Sequence, residues 1–99
     1  MTYKEKYGTF ENYQRQMAER AIKANEEVLN TPYGHYFVDC HMRDEEIKKI
    51  YAGAKKAIEH LKQVLSGEIE DPLYRAYWNQ MIAYEERINR NEQAGKSNG

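Results

Sequence analysis

His35, Asp39, Cys40 and His41 stand within seven residues of one another, and imidazole, thiolate and carboxylate are the side chains that bind zinc. A structural zinc site draws its four ligands from two separated pairs, whereas this chain offers a single cluster, so no metal is expected. If the segment is helical, His35 and Asp39 share a face while Cys40 and His41 turn away from each other. The other chemistry open to Cys40 is nucleophilic, with a histidine as base. Sequence neighbours rarely reach each other in that geometry, and the base would have to be His60 folded over the thiol. A nucleophile elbow, a phosphate-cradling glycine loop and an HExxH pair are all missing from the sequence. No Glu precedes a His by three residues, which removes the di-iron helix pattern. The expectation is a chain without catalytic residues or cofactor, in which Cys40 packs in the ordinary way and the histidines face solvent.

Phosphate chemistry is the next possibility. Lys48, Lys55 and Lys62 repeat every seven residues, and Lys49 and Lys56 form a second row beside them. Clustered lysines release counterions from a nucleic acid, and neighbouring tyrosines can stack on its bases. Against this, Glu45 and Glu59 dilute the arc, and the chain's 15 basic and 16 acidic side chains give a formal charge of -1. A nucleic-acid or nucleotide binder is therefore the alternative reading, and a solvated face is the ordinary one.

The elements that position these groups follow from caps and periodicity. Thr9 is an N-cap, and Phe10, Tyr13, Met17, Ala21, Ala24 and Val28 give the first helix one apolar face. Pro32 stops it near Asn30. From Pro32 to Arg43 the period is lost, and Tyr33, Gly34, Tyr36, Phe37 and Val38 form an aromatic connector. Asp44 caps a second helix, whose face of Ile47, Ile50, Tyr51, Ala54, Ala57, Ile58, Leu61 and Leu65 ends at Ser66-Gly67. Asp71-Pro72 opens a third, with aspartate as cap and proline at the first helical position. Residues 1–91 should form one helical domain, with 92–99 a disordered tail that has nothing to bury. The fold expected is all-α: a small antiparallel three-helix bundle with an aromatic connector between helices one and two.

At 99 residues such a domain removes only about 60 to 65% of the unfolded chain's surface from water, so its core is thin. Nine Tyr against two Phe and one Trp suit a thin core, because each tyrosine buries a ring and keeps a wet hydroxyl. A single cysteine, the lack of an apolar leader at the start and the absence of any membrane-length apolar run point to a reducing cytoplasm and no membrane.

The third helix is apolar around about half its circumference. Tyr74, Tyr77, Met81, Tyr84 and Ile88 alternate three and four apart like a coiled-coil seam, with Trp78 and Ile82 widening it on one side and Leu73 on the other. Gly53, Ala54 and Ala57 of the second helix offer small side chains to those rings. One-sided burial needs only about 100° of the circumference, so the extra width points to a partner or self-association surface anchored by Trp78, Ile82, Tyr74 and Tyr77. In size, tyrosine content and lack of catalytic residues the chain resembles the accessory proteins of phages and mobile elements, including inhibitors of host defence nucleases. That likeness implies a protein-binding module that blocks a larger host protein through one helical face. Because no metal holds the fold, a chelator should leave the helical circular dichroism unchanged; a loss of signal restored by zinc would contradict this.

Overall fold

A computed structural model describes the backbone of residues 2–97 and the side chains of residues 2–91. Every regular element of the described chain is a helix: α1 (Tyr3–Tyr7), α2 (Phe10–Asn30), a π-helical turn (His35–Asp39), α3 (Asp44–Leu65) and α4 (Pro72–Ser97). Most boundaries are made by the residues expected to make them. The Thr9 hydroxyl accepts a hydrogen bond from the Asn12 N–H at 3.2 Å and starts α2, and α2 ends at Asn30. Gly67 takes φ +83° after α3, and the N–H of Glu68 donates to the Gln63 carbonyl at 3.1 Å, the left-handed closure that a glycine permits at low steric cost. The α3 start falls one residue away from the expected cap, since Asp44 is already helical and the Arg43 N–H donates to Glu46 at 3.2 Å.

Helix α1 was not anticipated. It rests on a reciprocal cap in which the Glu5 N–H donates to the Thr2 hydroxyl at 3.0 Å and the Thr2 N–H donates to the Glu5 carboxylate at 3.3 Å. The Asn12 side chain donates to the Tyr7 carbonyl at 2.6 Å, which fixes the turn into α2.

Helices α2 and α3 pack along their lengths, joined through the aromatic connector. Ala18 and Ile22 meet Leu61 and Val64 near one end, and the Tyr51 hydroxyl donates to the Thr31 carbonyl at 2.7 Å towards the other. Contacts ascend on α2 as they descend on α3, so this pair is antiparallel. Within the connector Tyr36 is the anchor: its ring meets Tyr51 edge-on at 5.8 Å, and its hydroxyl donates to the Val28 carbonyl at 3.3 Å. Tyr33 and Phe37 stack on each other at 6.0 Å on the outside.

Helix α4 departs from the expected bundle. It packs on α1 and on the N-terminal part of α2, and among the described residues it does not run along α3. The match of large α4 rings to Gly53, Ala54 and Ala57 is therefore not formed; Ala57 lies against the α2–α3 cluster and Gly53 is exposed. With α4 extending past its neighbours the molecule measures 62 × 32 × 18 Å. Backbone helix continues to Ser97, where a tail from 92 was expected; the side chains of that stretch, and residues 98 and 99, lie outside the described residues.

Asp71 joins three of these helices. One carboxylate oxygen accepts from the Leu73 and Tyr74 N–H groups at 2.8 and 3.3 Å, capping α4 as expected. The other meets His60 Nε2 of α3 at 2.8 Å, and the Asp71 N–H donates to the Gln14 side chain of α2 at 2.9 Å. Burial pushes this carboxyl up, but the hydrogen bonds from His60, Tyr74 and Leu73 outweigh it and hold it below the usual aspartate value of 3.8. A carboxyl whose pKa is lowered by folding stabilises the fold above its unfolded value, and that contribution is lost as pH falls through the folded value. Asp71→Ala should therefore cost about 2 kcal/mol at pH 7, read as a fall of roughly 8–16 °C in melting temperature. Asp71→Asn, which keeps the cap, should cost less, and the gap between wild type and Asp71→Ala should narrow below about pH 4.

Candidate functional site

The physical reason for α4's orientation is the aromatic cluster under it. Tyr7 at the end of α1, Phe10 and Tyr13 at the start of α2, and Trp78 of α4 form one buried group, with Met17, Tyr74, Met81 and Ile82 packed around it. The indole lies 5.5 Å from the Tyr13 ring and 6.4 Å from the Tyr7 ring, the latter edge-on. Arg75 lies over the Phe10 ring at 3.6 Å and is ion-paired with Glu70. At the other end of the cluster the Tyr3 N–H donates to the Glu85 carboxylate, tying α1 to α4.

This arrangement settles where the expected site residues lie. Trp78 is only 9% exposed, so it belongs to the core and does not face a partner; the expectation of an outward Trp78 edge is corrected by the presence of α1 beneath it. Ile82 is half-buried in the same cluster, and Tyr74 is half-buried where the two clusters meet. Tyr77 is 51% exposed. The outward apolar edge of α4 is the opposite one: Leu73, 63% exposed, Tyr77, and Tyr84, 54% exposed. Spacings of four and seven residues place the three on one strip of the helix.

Beside that strip runs a groove of about 360 Å³ lined by Tyr3, Tyr13, Tyr77, Gln80, Met81 and Tyr84. Burial and the nearby Tyr7 and Tyr77 rings raise the Tyr13 pKa, and burial, Asp71 and Tyr13 raise that of Tyr74, so both phenols keep their protons beyond the ordinary range. Among the described residues the groove is lined by four tyrosines, a methionine and a glutamine, and by no charged side chain. Tyr3 was not read from the sequence because α1 was not; the Thr2 to Glu5 capping spacing was the available signal. Tyr84 was assigned to the inward seam, although it stands seven residues from Tyr77 and shares its face.

The other constellations lie elsewhere. His35 Nδ1 meets the Asp39 carboxylate at 3.1 Å, and its Nε2 lies 3.7 Å from the Cys40 sulfur. The base nearest the thiol is therefore His35; His60 is held by Asp71, about 24 Å along α3 from its start. Cys40 is exposed, contrary to the packed cysteine expected, and His41 takes φ +54°. No three His, Cys, Asp or Glu side chains converge as metal ligands would among the described residues. Lys48, Lys49, Lys55, Lys56 and Lys62 are all exposed on α3, and none is ion-paired among the described residues. Among the described residues no helix is long and apolar enough to cross a membrane.

Comparison of the chain with protein-family models, with curated proteins and with solved structures gives no match. Fold and surface alone define its class: an all-helical chain with a tyrosine-lined groove on α4. Trp78→Ala should lower stability by about 3–5 kcal/mol, the range for deleting a buried indole. Tyr77→Ser and Tyr84→Ser should each shift the melting temperature by only about 2–4 °C, as exposed substitutions do; a collapse of either Ser variant would place those rings in the core.

Proposed function

We propose that the chain is a non-enzymatic protein-interaction module working through the outward edge of α4 and its tyrosine groove. One observation carries this reading: Leu73, Tyr77 and Tyr84, three large side chains on one face of one helix, are each more than half exposed beside a concave aromatic surface. Tyrosine supplies wide contact area at small conformational cost and keeps a hydrogen-bonding tip, which is why it anchors interfaces. The groove's uncharged lining suits an apolar or neutral segment of a protein better than a polyanion. An accessory protein that blocks a larger host protein, in a reducing cytoplasm, is the specific form of this reading suggested by size and composition.

The exposed lysines of α3, none ion-paired among the described residues, favour a second reading, binding of a nucleic acid. They form two rows with about 10 Å between successive members of a row, but Glu45 and Glu59 lie on the same face. One comparison separates the two. A tagged chain should retain a stoichiometric protein partner, and Tyr77→Ser with Tyr84→Ser should abolish that retention while Lys48→Glu with Lys55→Glu leaves it unchanged. Submicromolar, salt-sensitive binding of single-stranded oligonucleotide that is lost in the lysine variant would overturn the proposal.

A further inference from the structure

The π-helical turn brings together side chains that an α-helix would part. Residues five apart in an α-helix point about 140° away from each other, whereas a π-turn closes on a bond between residues i and i+5 and lays them one above the other. Here the Cys40 N–H donates to the His35 carbonyl at 3.1 Å, and the His35 ring comes to lie between Asp39 and Cys40. Its Nδ1 meets the Asp39 carboxylate at 3.1 Å, and its Nε2 faces the Cys40 sulfur at 3.7 Å. The turn itself is held from the core side. The Met42 N–H donates to the Tyr36 carbonyl at 2.9 Å, and Tyr36 is fixed by the Tyr51 ring and the Val28 carbonyl.

This is the connectivity of a nucleophile, its base and a group that orients the base. An ionised carboxylate can only accept, so the proton of neutral His35 sits on Nδ1 and Nε2 turns a lone pair towards the thiol. Asp39 is thus the positioning residue, His35 the base and Cys40 the nucleophile. From α3 it is Tyr51 that meets the turn, through Tyr36, and Arg43, the nearest Lys or Arg along the chain, is paired with Glu46 at 3.1 Å. Among the described residues neither His35 nor Asp39 has another ion-pair partner. All three side chains are open to solvent. An acyl-transfer centre would need a cleft and oxyanion donors beside the sulfur; an open thiol with its own base suits a small reagent that has only to meet the sulfur.

We propose that Cys40 is a thiol-modification site, activated by His35, that reacts with a small-molecule disulfide to form a mixed disulfide. The Cys40 proton passes to His35 Nε2, and the sulfur attacks one sulfur of the reagent. A new S–S bond forms as the old one breaks, and the departing thiolate recovers the proton from the imidazolium. Cys40 is oxidised and half of the reagent is reduced, so no other oxidant enters, and a free thiol reverses the step.

Intact mass after exposure to glutathione disulfide should show one adduct, on the only cysteine of the chain, that dithiothreitol removes; its absence overturns the site. The rate with the neutral disulfide dithiodipyridine should fall about tenfold at neutral pH in His35→Gln, and about as far in Asp39→Asn, whose amide can donate to Nδ1 and send the ring proton to Nε2. Helical circular dichroism should be unchanged in both, because the substituted side chains are exposed. One rate for all three proteins is what a merely exposed cysteine gives, and it overturns the triad. His41→Asn, beside the thiol in sequence and able to keep the backbone at φ +54°, should react as the wild type does; if it slows the reaction and His35→Gln does not, the base is His41 and the assignment falls. In His35→Gln the rate should drop about tenfold for each pH unit below the ionisation of the thiol, while the wild type, with its base in place, should fall less steeply towards neutral pH. Parallel profiles overturn the role of His35.

Discussion

Everything α4 presents depends on how Asp71 holds its first turn. Helix α4 has no side-by-side packing with α3 among the described residues, so its direction is set by the aromatic cluster beneath it and by one carboxylate shared between its own N–H groups and His60. The Gln14 side chain closes the same knot from α2. Tyr84 lies about 20 Å along the helix from Asp71, so a change of 10° at the cap moves that ring by about 3 Å. A buried polar group of this kind contributes to direction as well as to stability, because its bonds to His60 and Gln14 are both made only when α2, α3 and the start of α4 are brought together.

The tyrosines divide their work along the same geometry. Tyr7 and Tyr13 are buried and Tyr74 bridges the two core clusters, filling a core too thin to hide a wholly apolar set. Tyr3, Tyr77 and Tyr84 take the same ring chemistry to the surface. The groove is continuous with the core: Tyr13 contributes to both, packing under Trp78 on one side and lining the groove on the other. The floor of the site is therefore part of the core.

Local chemistry made the three long helices legible from sequence. Thr9, Asp71-Pro72 and Gly67 are signals whose partners lie within a few residues, so they act regardless of the remaining fold. What the helix three pattern could not convey was which edge of a wide apolar stripe turns inward. Periodicity gives the width of a stripe, while its orientation depends on what lies beneath, and here that is α1, a five-residue helix marked only by the Thr2 to Glu5 spacing. Without α1 the Tyr7 side of the Trp78 cluster is left open, and the indole is naturally assigned to a partner; with it, the free edge becomes Leu73, Tyr77 and Tyr84. The missing α3–α4 pairing has the same origin, since of the rings meant for Ala54 and Ala57 Trp78 is taken by Tyr7, Phe10 and Tyr13, while Tyr77 and Tyr84 turn outward.

A helix that outruns its neighbours also governs how the molecule diffuses. The radius of gyration is 19.4 Å, against about 13 Å for a compact chain of this length. Rotation about the long axis is then faster than end-over-end tumbling, and frictional drag exceeds that of a sphere of equal mass. Elution volume and rotational correlation time would both report a particle heavier than the monomer, and an apparent doubling of size by either is the signature of shape before it is the signature of stoichiometry.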